Sequence, residues 1–177
     1  CAGILAHHRG LPVEHFIAAC NVNDVVPEYL RTEILQPKET VATISNAMDV
    51  GDPSNFVRIL ELFEKEFNQV KSKLSGYTID DEETLKTIER VEKDYGYVLD
   101  PHGAVAFVAL EKYLAENGGK GFFLETAHPV KFPDSVEQAT GKSVEIPKSL
   151  EELMKQEKFT TEINPQYEEL KEFLLKK

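Results

Sequence analysis

The chain has 177 residues, enough for one ordinary domain with a real core. Its 41% hydrophobic and 29% charged residues are the balance of a globular protein, and no apolar run approaches the roughly 20 residues a membrane helix needs. A net charge of −11 argues against nucleic acid, whose phosphates demand a basic surface.

The chain opens on AGILAHHRGLP, which reads as the body of a helix closed by Gly10, with Pro12 beyond it. In an α/β protein such a helix follows a strand and a turn, so the sequence reads as cut. Residues 14–20 (EHFIAAC) form an apolar run suited to a buried parallel strand. Asp24, after the polar turn 21–24, caps a short helix to about Arg31. Residues 36–45 are loop passing into something extended. Pro53-Ser54 then starts a helix predicted to run to about residue 74, with Phe56, Ile59, Leu60, Phe63, Phe67 and Val70 at helical spacing. Asp80-Asp81 opens a charged helix ending near Tyr95-Gly96. Pro101 suits the first turn of the next, Gly103 to Glu116, whose AVAFVAL centre is apolar enough to be buried. Residues 121–126 (GFFLET) read as a second buried strand, 134–139 as the helix after it, and the tail as one or two surface helices. The expectation is a helix-rich α/β fold with an incomplete sheet, since two or three strands do not make an independent doubly wound one.

Three segments break the rules of regular structure, which is where function is usually found. The first is Thr43 to Asn55, TISNAMDVGDPSN, a polar loop ahead of a helix. Capping explains about half of such segments; otherwise the loop delivers hydrogen bonds to an anionic ligand. In the second, Asp100-Pro101-His102-Gly103, Asp caps and Pro fills the first turn, but no cap requires His102. The third is Glu125-Thr126-Ala127-His128-Pro129-Val130-Lys131, placing Thr126 at the carboxyl end of the expected strand, where open α/β sheets take ligands. Cys1 and Cys20 make no disulfide framework and suit a reducing cytoplasm. The five histidines (His7, His8, His15, His102, His128) show no metal-ligand spacing, so no metal is expected.

Taken in order, AGILA with GLPV, FIAACNVNDVVPEYL, ATISNAMDVGDPSNF, DPHGAVAF and ETAHPVKF resemble the C-terminal part of threonine synthase, from Cys1 to at least Ile146. Single motifs are weak, but five in register are strong. The resemblance implies the large domain of a fold-type-II (tryptophan synthase β-like) pyridoxal-phosphate (PLP) enzyme. Residues 1–150 would be the C-terminal part of that PLP-binding domain and 151–177 its helical tail. It also implies a cytoplasmic enzyme converting O-phospho-L-homoserine and water to L-threonine and phosphate.

Carried over residue by residue, Thr126 faces the pyridine nitrogen of the cofactor, and Asp100 and His102 stand near the ring. Asn46 and Asp49 belong to a substrate-side loop, and His128 braces the Thr126 turn. The Schiff-base lysine and the phosphate-holding loop would lie upstream, so no catalytic residue is assigned within this chain and the chain alone is expected to be inactive. The partners expected are the substrate and the missing N-terminal half, not nucleic acid or membrane. Two other readings compete. A related fold-type-II enzyme, such as a phospho-lyase or a threonine dehydratase, shares some of the motifs. A free-standing acidic binding module would instead need a sheet complete in itself.

Overall fold

The apolar run Phe16–Cys20 forms β1, as its composition predicts, in the computed structural model, which describes residues 1–176. Its partner, β2, is Leu74–Thr78, and the two run parallel with Phe16 opposite Leu74 and Cys20 opposite Thr78. Helix α1 (Ala2–His8) precedes β1, and between the strands come α2 (Val25–Thr32), a 3-10 turn at Asn46–Met48, α3 (Val57–Leu62) and α4 (Phe67–Lys73). After β2 follow α5 (Asp81–Tyr95), α6 (Pro101–Asn117), a 3-10 turn at Pro129–Lys131, and α7 (Pro133–Thr140). The fold is helix-rich α/β with a two-stranded sheet among the described residues.

Two expectations are corrected. The helix expected from residue 53 to 74 is two helices, α3 and α4, because Glu64 (φ 54°) and Lys65 (φ 60°) both turn left-handed. Its apolar spacing is nonetheless real: Phe56, Phe63 and Val70 are all buried. The run then continues directly into β2, which the helical reading hid; Leu74 and Ile79 are buried at its two ends. The other correction is the strand expected at 121–126. This segment alternates like a strand, with Phe122 and Leu124 exposed (71% and 68%) and Phe123 and Glu125 turned inward. No strand among the described residues lies beside it, and without a ladder partner an extended segment is not sheet.

The unit Cys1–Val144 holds the core. Ile4, Tyr29, Leu30, Phe56, Phe63, Val70 and Leu74 form one cluster, in which Tyr29 meets the edge of Phe56 at 5.3 Å between ring centroids. Ile88, Val91, Leu99 and Ala104 form a second, capped by Phe107 and Phe123. Helix α2 lies so close to the sheet that a Cβ on Gly76 would come within 2.7 Å of Pro27 Cα. Helix α6 packs on β1, and α5 on α6 and α7. Asp80 caps α5 by accepting from Glu83 N at 2.8 Å, and Gly96 closes it left-handed, both as expected from the sequence.

The residues from Glu145 on form a separate unit with two helices, α8 (Lys148–Met154) and α9 (Tyr167–Leu175). Every residue from Glu151 to Lys176 is exposed. No helix among the described residues is long and apolar enough to cross a membrane.

Candidate active site

Helix α6 begins where its sequence says it should. Asp100 is the N-cap, accepting from His102 N at 2.9 Å, and Pro101 occupies the first turn. Asp100 is completely buried and His102 nearly so. The His102 ring is held at both nitrogens: Nδ1 lies 2.7 Å from Asp100 Oδ1, and Nε2 accepts from Ala47 N at 3.1 Å. An Nε2 that accepts carries no proton, so the ring is the Nδ1–H tautomer and donates to the Asp100 carboxylate. Phe132 covers the ring at 4.8 Å. Burial pushes the Asp100 carboxyl up, but hydrogen bonds from His102 and Glu125 outweigh it, and the net shift is downward.

Glu125 comes to the same place from the Phe122–Leu124 segment. Its Oε1 accepts from Asp100 N at 3.2 Å. It fits because residue 103 is glycine: a Cβ there would fall on both Glu125 carboxyl oxygens. Burial, and then the facing Asp100 carboxyl, push Glu125 up to about 8. Thr126, the next residue, is exposed. His128 Nδ1 accepts from Val130 N at 3.1 Å, so it caps its own 3-10 turn, the bracing role expected of it.

The polar loop 43–55 is held from beneath. Asn21 and Asn23, just past β1, are buried, as is Ser45. Asn21 Nδ2 donates to Asp49 Oδ1 and to Thr43 Oγ1, each at 2.8 Å, and its Oδ1 accepts from Asn23 N at 2.9 Å. Thr43 gives Asp49 two more bonds, from its hydroxyl (2.7 Å) and its amide (2.9 Å). Asp49 is therefore taken up by a structural network, whereas Asn46 stands exposed on the turn whose next amide His102 holds. A cavity of about 520 Å³ opens between this loop and the carboxyl end of β1, lined by Cys20, Asn23, Val26, Met48, Ser54 and Asn55 among others. Burial, then Asp24, push the Cys20 thiol up to about 12, so it lines this space as an inert apolar group.

Asp100 and His102 thus lie beside the segment that carries Thr126, linked to it through Glu125, and the Asn46 turn is linked to them through Ala47. Thr43 and Glu125 lie in the segments singled out from the sequence but are given no role there, and Asn21 and Asn23 are read only as a polar turn. A repeated Asn after an apolar strand was the signal for the asparagines; an acid closing the apolar run GFFLE was the signal for Glu125. Among the described residues no group of three or more His, Cys, Asp and Glu side chains has the makings of a metal site.

A family model described as the C-terminal part of threonine synthase matches residues 103–174. The threonine synthase of Escherichia coli K12 is 48% identical over 151 residues, 85% of this chain and 35% of that protein. The chain matches the C-terminal part of threonine synthases. The threonine synthase of Buchnera aphidicola subsp. Schizaphis graminum is 43% identical across 99% of this chain and 40% of its own length. The chain therefore spans about 35 to 40% of the length of these curated relatives. The crystal structure of E. coli threonine synthase superposes with a TM-score of 0.88 at 43% identity, over 98% of this chain and 40% of that one. PLP-bound threonine synthase from Brucella melitensis superposes at 0.78 with 29% identity, over 98% and 42%.

Proposed function

We propose that this chain is the C-terminal part of a threonine synthase that converts O-phospho-L-homoserine and water to L-threonine and phosphate, with PLP held by a lysine outside these residues. The observation that carries the reading is the 43% identity to the E. coli enzyme structure at a TM-score of 0.88, over 98% of this chain. The resident chemistry of PLP, when bound, is to act as an electron sink for charge developing on the substrate carbons.

The residues present fit such a group. Thr126 is exposed at the turn and follows Glu125, which holds the buried Asp100, so its hydroxyl can meet the ring nitrogen. A hydroxyl with a pKa far above that of a pyridinium does not hand the nitrogen a proton, which keeps the sink mild. That suits a reaction in which protons must move among several substrate carbons. Asp100 and His102 act from behind: they fix the N-terminus of α6 and, through Ala47 N, the turn that presents Asn46. Asn46, exposed beside them, would contact the substrate, while Asp49 sets the loop that carries it. The cavity beside β1 lies at the carboxyl end of a parallel strand, the usual ligand side of an open α/β sheet.

The test is assay of the full-length protein, loaded with PLP, on O-phospho-L-homoserine. Phosphate and L-threonine should appear in equal amounts. Phosphate release without threonine would mean a phospho-lyase, and action on threonine in place of the phosphorylated substrate a dehydratase; either result overturns the reading.

A further inference from the structure

Glu125 is a buried acid that the reading above does not use. Its Oε2 is buried and has no hydrogen-bond donor among the described residues. A buried carboxylate oxygen without a donor is costly. Its Oε1 is already occupied by Asp100 N. Across from it, Asp100 carries an unequal load: Oδ1 accepts from both His102 N (2.9 Å) and Nδ1 (2.7 Å), while Oδ2 has only Gly103 N at 3.4 Å. Glu125 Oε2 lacks a donor, Asp100 Oδ2 lacks a close one, the two carboxyl groups face each other, and a single proton between them satisfies both.

We propose that Glu125 is a positioning residue that keeps its proton at neutral pH and donates it from Oε2 to the Asp100 carboxylate, tying the Thr126 turn to the N-terminus of α6. The chain of hydrogen bonds then runs Glu125, Asp100, His102, Ala47, and joins three separate segments of the site in one register. The groups that face it are Asp100 at the start of α6, His102 through Asp100, and Tyr97 from the turn before the helix. Asp100 stays ionised because His102 donates to it from the other side, so the shared proton rests on Glu125. Gly103 leaves the space in which the two acids meet. The consequence for catalysis rests on the threonine synthase reading; the protonation itself does not.

The sign of the pH effect follows from the folded value of about 8 against an ordinary 4.5. Between those values the folded protein binds a proton that the unfolded chain releases. Stability therefore falls as pH rises across that window and levels off above it. Loss of the proton also sets two carboxylates against each other beneath Thr126, so turnover should fall on the alkaline side with the same midpoint.

The experiment is a carbon-13 carboxyl NMR titration of the full-length protein with labelled glutamate, alongside thermal melts and kcat against pH for the wild type and Glu125→Gln. The proposal expects one glutamate with a midpoint near 8, absent in Glu125→Gln, and loss of both the stability slope and the alkaline limb of kcat in that variant. Titration of Glu125 in the ordinary carboxylate range overturns it, and so does a Glu125→Gln profile that keeps the wild-type slope. The wild-type midpoint decides the matter even if Glu125→Gln folds poorly. A midpoint near 8 in a protein that releases no phosphate from O-phospho-L-homoserine would support the Glu125 proposal and overturn the functional reading alone.

Discussion

Thr126 and Asn21 stand in opposite surroundings, one exposed and one buried, and substitution should separate them. Thr126 is exposed, so under the proposed function Thr126→Ala removes a contact to the cofactor while leaving the fold intact. In the full-length protein it should lower kcat by roughly ten- to a thousandfold, the scale of one positioned electrostatic contact, with thermal stability unchanged. Thr126→Ser should recover most of the loss. Unchanged turnover in Thr126→Ala would mean that the hydroxyl meets nothing in catalysis. Asn21 is the opposite case, buried and bonded to four neighbours. Asn21→Ala strips donors from Asp49 and Ser45, and should cost about 1–3 kcal/mol in denaturant unfolding, the penalty for orphaned buried polar groups. The segments that carry Thr126, Asp100 and His102 stand out in the sequence because a Thr-x-His-Pro turn and a histidine just inside a capped helix exceed what capping requires. The roles of Glu125 and Asn21 do not. Their importance lies in which distant side chain they meet, and residue type alone does not carry that.

The elements show where local pattern suffices and where it fails. Helices α5 and α6 match their sequence limits to within a few residues, since Asp80, Gly96, Asp100 and Pro101 are local signals that no distant contact overrides. The cap of α5 should be measurable on its own: Asp80→Ala is expected to lose about 1 kcal/mol of stability, read from the denaturant midpoint, and Asp80→Asn much less. The misread elements are those whose state depends on a neighbour. Phe56 to Val70 keeps helical spacing through a left-handed break at Glu64-Lys65, because the buried face stays in register on both sides. Leu74–Thr78 becomes a strand because β1 offers it a ladder and α2 a close surface. Gly76 is the residue that permits this approach. Gly76→Ala should force α2 away from the sheet and destabilise by about 1–3 kcal/mol, the usual range for overpacking, despite the better intrinsic propensity of alanine. A neutral result would mean that α2 moves freely on the sheet.

The distribution of apolar surface over the molecule is uneven in a way that bears on its assembly. Of Ile4, Leu5, Phe16, Ile17, Phe122 and Phe123, apolar residues of the opening helix and of the two segments expected as buried strands, only Ile4 is buried. Leu5 is 45% exposed and Phe122 71%, and the second edge of β1 carries no partner among the described residues. Isolated apolar side chains on a surface are ordinary, but a strand edge together with exposed aromatic residues invites association. Under the proposed function, the remainder of the enzyme's length covers this face with further strands. A polypeptide of residues 1–177 prepared alone should then self-associate in sedimentation velocity runs and bind a hydrophobic dye. Under the same reading, which puts the cofactor's lysine outside these residues, it should also stay colourless with PLP. Supplying the upstream part of the protein in the same cell should yield a soluble complex of one copy of each, with the dye signal lost and the cofactor's colour gained. A monodisperse, dye-negative monomer of residues 1–177 would show that these side chains need no cover. The face would then be plain surface, and the function would rest on sequence identity and the Thr126 turn alone.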